Sequence, residues 1–539
     1  MEKRLLLTLA LSLIVLLVFQ KFYVKPAPRT PVTSSVQEGQ EEKAAGAGFT
    51  VQGTPAPGRQ EKSSFPSEEK ETEVRTEEMA MTFSDIGGAL TKIALSESGT
   101  GREEKEETLI FAETPESRPF LMRSPVVPGL DTAKYKAQQG AGYLEYVFEE
   151  PGVVRITKKY TFHKPFNYID LEIAIKNLSS RRLPFSYTLT GPAGMQRSSK
   201  IAGRSFLESD IMIDGKVWKA RSVKGAQERA GDISWVALKN RYFTMMLKPL
   251  GQPGSVVLTE APGKNLTTSI HSQRHDIVPG GVTRDEYLVY AGPLDEERLA
   301  ALGHDMQAIV DYGFFGGVSK ILLKVLRFFH TVVRNWGVAI ILLTLAVNLL
   351  LFPLTIKSFI SMQQMKKLQP HMQKLKELHK DNPQKLNKEM MELYKTYNVN
   401  PLGGCLPLIL QMPIFIALYQ GLVRSVELKG AHFLWIKDLA KPDAVPLPFS
   451  LPFLGNTINI LPLLMVGMMV LQQKISQGAA GAAATDDQAS QQKMMMVMFP
   501  LLFGFLFYNM PSGLVLYWLT NTILMTGEQT IVGKRLSHT

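Results

Sequence analysis

The chain has 539 residues, of which 45% are hydrophobic, and a formal net charge of +11. That length allows several domains. The single cysteine, Cys405, excludes an intrachain disulfide and any cysteine-built zinc or iron–sulfur site, and the lack of a Gly-x-x-x-x-Gly-Lys-Ser/Thr phosphate loop argues against nucleotide hydrolysis.

Met1-Glu-Lys-Arg precedes an apolar run from Leu5 to Phe19 that continues weakly through Phe22-Tyr23-Val24, with no small-x-small cleavage site after it. This predicts an uncleaved transmembrane signal anchor over 1–24. Residues 25–78 are rich in Pro, Gly, Ser, Thr, Gln and Glu and read as a flexible linker. Over 79–305 the pattern becomes alternating, as in Asn167-Tyr-Ile-Asp-Leu-Glu-Ile-Ala-Ile and Glu286-Tyr-Leu-Val-Tyr, with breaks such as Gly251-Gln-Pro-Gly. Many short alternating runs separated by turns predict a large antiparallel β-sandwich. In 306–335, Lys320, Lys324, Arg327 and Arg334 share a helical face opposed by Ile321, Leu322, Val325 and Phe329. Such a helix is expected to lie in a membrane interface; a surface helix of the β-domain is the plainer alternative.

Residues 336–532 read as a five-helix membrane core, with spans near 337–356, 402–423, 456–471, 494–509 and 514–532. The last three are short, or polar within, against the roughly 20 apolar residues of an ordinary span. Residues 357–401 form an insert; from Lys357 to Lys395 it holds nine lysines against Glu377, Asp381, Glu389 and Glu392, or +5. The positive-inside rule places this insert in the cytoplasm, the β-domain outside, and both termini inside, with 533–539 as a cytoplasmic tail. Met365, Leu368, Met372 and Leu375, then Leu386, Met390, Leu393 and Tyr397, step as two amphipathic helices around Asp381-Asn382-Pro383. They predict an antiparallel hairpin, with Pro370 kinking the first helix or marking its start.

Few residues offer chemistry. His163, His271, His275 and His304 lack metal-ligand spacing. Ser198, Ser199 and Lys200 give a weak Ser/Lys-protease pattern, which has no use for five later spans. The polar residues inside the apolar block carry more. Thr344 and Asn348 lie four apart on one face, Gln411 and Tyr419 fall in the next span, and Tyr517, Trp518 and Asn521 in the last. One such residue is ordinary helix–helix glue. Several of them in short spans predict a shared hydrated groove. The methionines at 465, 468, 469, 494–496 and 498 suit a surface that accepts varied apolar partners.

Asn400-Pro-Leu-Gly-Gly-Cys-Leu-Pro, Gln411-Met-Pro-Ile-Phe-Ile-Ala-Leu-Tyr, Phe433-Leu-Trp435-Ile-Lys-Asp438-Leu and Met510-Pro-Ser-Gly-Leu-Val-Leu-Tyr-Trp518 strongly resemble the YidC membrane protein insertases. The resemblance covers the whole chain and looks like the Gram-negative long form. It implies a bacterial inner-membrane insertase and chaperone with a periplasmic domain, acting alone or with the Sec translocon through a hydrophilic groove. Substrates would be nascent inner-membrane proteins. The Sec translocon with its accessory subunits, membrane lipids and the ribosome are the implied partners, and DNA and cofactors are not. Candidate groove residues are Thr344, Asn348, Gln411, Tyr419, Tyr517, Trp518 and Asn521; candidate hairpin residues are Lys366, Lys367, Lys374, Lys376, Lys385 and Lys388. The family carries a positive charge in the second span. Here the matching position, five residues before Pro353, is Asn348, and a neutral amide gives up attraction for acidic segments. Two other classes compete. A polytopic solute transporter predicts paired repeats and broken helices, and no repeat is visible between the spans. An outside enzyme on the β-domain, of the kind sugar epimerases build on such sandwiches, lacks an evident His/Glu pair.

Overall fold

The computed structural model describes residues 68–96, 106–112, 114–164, 168–195, 206–220, 223, 225–251, 253–261, 265–379, 382–397, 399, 406–451, 455–477 and 498–537. The expected N-terminal anchor, most of the linker, Ser198-Ser199-Lys200, the 400–405 motif with Cys405, and methionines 494–496 lie outside the described residues.

Alternation builds the β-domain. In Tyr168–Asn177 every second residue is buried, so Ile169, Leu171, Ile173 and Ile175 face the core while Asp170 and Glu172 face out. This strand is inside an antiparallel nine-stranded sheet. Its order is Lys216–Ala220, Glu208–Ile213, Ile233–Lys239, Phe243–Pro249, Val282–Pro293, Tyr168–Asn177, Val154–His163, Tyr143–Glu150 and Lys136–Gly140. A five-stranded sheet that includes Ser255–Ala261 and Asn265–His271, and a four-stranded sheet over 71–111, supply the opposing layers. One continuous apolar core joins them, containing Phe83, Phe120, Tyr160, Leu171 and Val256.

Two boundaries differ from the sequence expectation. Glu71–Arg75 is a strand paired with Met79–Ser84, so the β-domain begins inside the stretch expected as linker. The strand is charged and largely exposed, and backbone pairing rather than apolar burial holds it. Downstream, Met306 and Ile309 are buried with Trp235, Met246 and Tyr290 against the nine-stranded sheet. The segment around Met306–Ile309 is therefore a cover of the β-domain, and the amphipathic helix starts later.

The helices, in chain order, are α1 (Glu296–Ala301), α2 (Gly316–Val333), α3 (Trp336–Leu378), α4 (Pro383–Thr396), α5 (Leu406–Arg424), α6 (Ile460–Gln477), α7 (Met498–Phe507) and α8 (Ser512–Ser537). The amphipathic α2 buries Ser319, Leu322, Leu323 and Leu326 and exposes Ile321, Phe328 and Val332, with Phe314 exposed just before it. Arg334, in the left-handed region at φ 50°, turns the chain, and the Asn335 side chain caps α3 by accepting from the Val338 amide at 3.0 Å.

At 43 residues α3 is about 64 Å long, roughly twice the hydrocarbon thickness of a bilayer. It runs unbroken through Pro353 and Pro370, so Pro370 neither starts nor ends a helix, and the first arm of the expected hairpin is simply the continuation of the span. Among the described residues Trp336–Met365 is the one stretch long and apolar enough to cross a membrane. The other apolar helices are shorter: Ile409–Arg424, Ile460–Ile475 and Met498–Phe507.

Candidate functional site

The apolar helices enclose the polar residues singled out by sequence. Thr344 is fully buried, and its hydroxyl donates to the Ile340 carbonyl at 2.7 Å. One turn on, the Asn348 amide donates to the Thr344 carbonyl at 2.8 Å and to Asn521 Oδ1 on α8 at 2.9 Å. One turn earlier on the same face of α8, the Tyr517 hydroxyl accepts from Gln411 Nε2 of α5 at 2.6 Å. Thus α8 is tied to α3 by a pair of amides and to α5 by an amide and a phenol. At 1.5 Å per residue, Asn348 lies about 18 Å from the start of α3 and Asn521 about 14 Å from the start of α8, near the middle of a span.

These residues do not line one open channel. Thr344, Asn348, Gln411, Tyr517 and Asn521 are each less than a tenth exposed, and their polar groups bond to one another or to the backbone of their own helix. Trp518 belongs to a different group. It packs edge-on against Phe415 with centroids 4.9 Å apart, and against Phe503 and Phe507 at 5.5 and 5.4 Å, joining α5, α7 and α8. Tyr419 is half-buried against the core.

The polar character of α8 has a local explanation. Thr522, Thr526 and Thr530 donate in turn to the carbonyls of Trp518, Thr522 and Thr526 at 2.9, 2.6 and 2.8 Å. Each hydroxyl is satisfied within its own helix and needs no water. Farther along, Glu528 Oε2 and Gln529 Oε1 are buried acceptors without a partner, as is Gln473 Oε1 on α6.

Beyond Met365, α3 and α4 form the hairpin. Lys367, Lys374, Lys376, Lys385 and Lys388 are exposed on it, and Lys366 lies on α3 in the same arm. No residue of α4 is fully buried, and Leu378, Met391 and Tyr397 stand exposed among the lysines. At the opposite end of the helices, the Phe433–Ile436 turn packs on α3. An alanine methyl at Gly337 would lie 2.1 Å from the Phe433 ring, so only glycine admits this approach. Leu434 in that turn has φ 51°. Asp443 caps α6 by accepting from the Ile460 and Leu461 amides at 2.8 and 2.9 Å. The His330 and Trp336 rings stack at 3.8 Å across the corner between α2 and α3.

Residues 71–325 match the family profile described as the YidC periplasmic domain, and residues 328–539 the profile described as 60Kd inner membrane protein. The membrane protein insertase YidC of Geobacter metallireducens is 31% identical over 100% of this chain and 99% of its own length. The chain belongs to the YidC membrane protein insertase family. The YidC of Syntrophobacter fumaroxidans is 36% identical over 72% of this chain and 70% of its own. A crystal structure of an active YidC insertase with its first transmembrane domain resolved is 20% identical, covering 86% of this chain and 92% of that one, with a TM-score of 0.37. As a YidC family member the chain is an inner-membrane protein, its β-rich part is the periplasmic domain, and its helical part is the C-terminal region.

Proposed function

We propose that this YidC family member inserts and folds nascent inner-membrane proteins by letting a substrate segment take the place of the amide pairs on α8. The observation that carries this reading is the pairing of Asn348 with Asn521 and of Gln411 with Tyr517 at mid-span depth. An interhelical side-chain hydrogen bond in a membrane contributes only about 0.6 kcal/mol. Such pairs close the block in the resting state yet open at little cost when another donor or acceptor arrives. A hydrophobic segment docks on the partly open apolar surface of the α3–α4 hairpin and moves along α5 and α8. Its short polar tail is held in transit by Thr344, Asn348, Gln411, Tyr517 and Asn521, while its apolar part partitions at about 25 cal/mol per Å² removed from water. With Asn348 neutral, polar tails are accepted by hydrogen bonding rather than by charge, and the membrane potential draws acidic tails outward. No nucleotide is hydrolysed.

In this reading α3, α5, α6, α7 and α8 are five spans, preceded by an N-terminal anchor, with both termini and the lysine-rich hairpin in the cytoplasm. The short spans fit a locally thinned bilayer that shortens the tail's path. The exposed stripe of Ile321, Phe328 and Val332 on α2, with Phe314 just before it, rests in the outer leaflet. The Sec translocon and its accessory subunits act as partners for larger substrates, and the hairpin lysines give the ribosome an electrostatic contact.

Site-specific photocrosslinkers test the path. Probes at Asn348, Gln411 and Tyr517 are expected to capture a stalled single-span substrate, whereas Leu349 and Leu350, 72% and 79% exposed on α3, serve as lipid-facing controls. Equal labelling at both sets would overturn the path.

A further inference from the structure

Among the contacts between the β-domain and the helical core is one buried arginine. Arg241 sits in the turn between the strands Ile233–Lys239 and Phe243–Pro249, a turn shaped by Asn240 Oδ1 accepting from the Tyr242 and Phe243 amides at 3.0 Å each. Its side chain is 2% exposed and stacks on the Tyr242 ring at 4.5 Å. The guanidinium leaves the β-domain: Nε donates to the Val423 carbonyl, and Nη2 to the Ala440 carbonyl at 3.1 Å.

Both acceptors are strategic. Val423 is among the last four residues of α5, whose carbonyls have no partner within the helix, and a cation there also meets the negative end of the helix dipole. Ala440 belongs to the loop that seats the start of α8. In that loop the Leu439 carbonyl accepts from the Gly513 amide at 2.9 Å and the Lys441 carbonyl from the Ser512 amide at 2.8 Å. The Ser512 hydroxyl donates to the carbonyls of Asp438 and Lys441 at 3.1 and 2.8 Å. One side chain therefore joins the end of α5, the loop and, through the loop, the beginning of α8. Burying a guanidinium is costly unless its donors are used; here Nε and Nη2 are both spent on the helical core, while Nη1 is buried without a partner.

We infer that Arg241 is a positioning residue through which the β-domain holds the outer ends of α5 and α8 in register, closing the helical core on the periplasmic side. This gives the β-domain a mechanical role beyond that of a tethered appendage, and the role stands whether or not substrate displaces the amide pairs. A lysine at this position keeps the charge but cannot donate to both carbonyls in the same planar fork.

Hydrogen exchange of the full-length protein in lipid nanodiscs reads the clamp. In Arg241→Ala the amides of Leu439, Ser512 and Gly513 are expected to exchange roughly tenfold or more faster, as for loss of charge-assisted hydrogen bonds. Those of Tyr168–Asn177 should stay at the parental rate. Arg241→Lys is expected to fall between, and carries the test if the alanine variant does not fold. Exchange within twofold of the parent at all three amides would overturn the inference. So would a parallel rise across Tyr168–Asn177, which would make Arg241 a fold residue of the β-domain alone.

Discussion

The β-domain and the helical core both bury polar side chains, but they satisfy them differently. In the β-domain many of the partners are backbone, beside side-chain pairs such as Lys239 with Asp210 and Tyr187 with Tyr287. The fully buried Lys158 donates to the carbonyls of Gly87 and Phe120 at 2.7 and 2.6 Å, Tyr160 to that of Gly88 at 2.7 Å, and Asn177 to those of Arg181 and Ile277 at 2.7 and 2.9 Å. These partners cannot leave without unfolding the strands or loops that carry them. In the helical core the hydroxyls also bond backbone within their own helices, but the bonds that run between helices through these residues are side chain to side chain, Asn348 with Asn521 and Gln411 with Tyr517. Such groups can turn away on single-bond rotations while their helices remain intact. The contrast teaches that burial by itself does not say what a polar residue does; the mobility of its partner does.

The largest expected effect checks whether packing rather than amides holds the helical core. Trp518→Ala removes the ring that joins Phe415, Phe503 and Phe507 and is expected to cost about 3–5 kcal/mol, read by thermal melting of the purified protein in detergent. Nearly as large, Lys158→Ala leaves two buried carbonyls without a donor and is expected to cost about 2–5 kcal/mol in the β-domain transition. A loss below about 1 kcal/mol there would remove the contrast with the amide pairs.

A smaller effect follows from pH. Burial pulls the Lys158 pKa down from 10.5 to about 7. Between those values the unfolded chain holds a proton that the folded chain lacks, so stability rises with pH across that window. It is level below about pH 7, where both states are protonated. The slope is at most about 1.4 kcal/mol per pH unit. Chemical unfolding of the β-domain transition between pH 6 and 9 measures it, and Lys158→Met should flatten the profile.

The smallest effect belongs to the amides. Asn348→Leu is expected to change stability by less than about 1 kcal/mol while slowing insertion of substrates with polar tails. Asn348→Arg should favour acidic-tailed substrates. Equal insertion of all tails by all three proteins would make Asn348 mere packing.

Much of the fold was legible because burial leaves a period in the sequence. The alternation of 167–175 and the four-then-three spacing of the hairpin methionines and leucines report which face each element buries. Glu71–Arg75 was not legible, since an exposed edge strand has no apolar face to announce it. Nor was the continuity of α3 through Pro370: a proline removes one intrahelical hydrogen bond, and tertiary context decides whether the helix survives that loss. The candidate site was legible as residues but not as pairs. Asn348 and Asn521 are 173 positions apart, and Gln411 and Tyr517 are 106 apart. Their mutual satisfaction depends on helix packing that no local pattern encodes. The surroundings of Trp518 were not legible for a related reason, because its neighbours in space, Phe503 and Phe507, come from another helix.

The claim that the α3–α8 amide pair opens during insertion has a direct measurement. With Cys405 replaced by serine, Asn348→Cys and Asn521→Cys are joined by a short bis-methanethiosulfonate bridge that reduction removes, and insertion of a single-span substrate into proteoliposomes is followed. The account expects insertion to fall roughly tenfold or more with the bridge in place, as for a step raised by at least 1.4 kcal/mol, and to recover on reduction. Insertion at the unbridged rate with the bridge intact would contradict it.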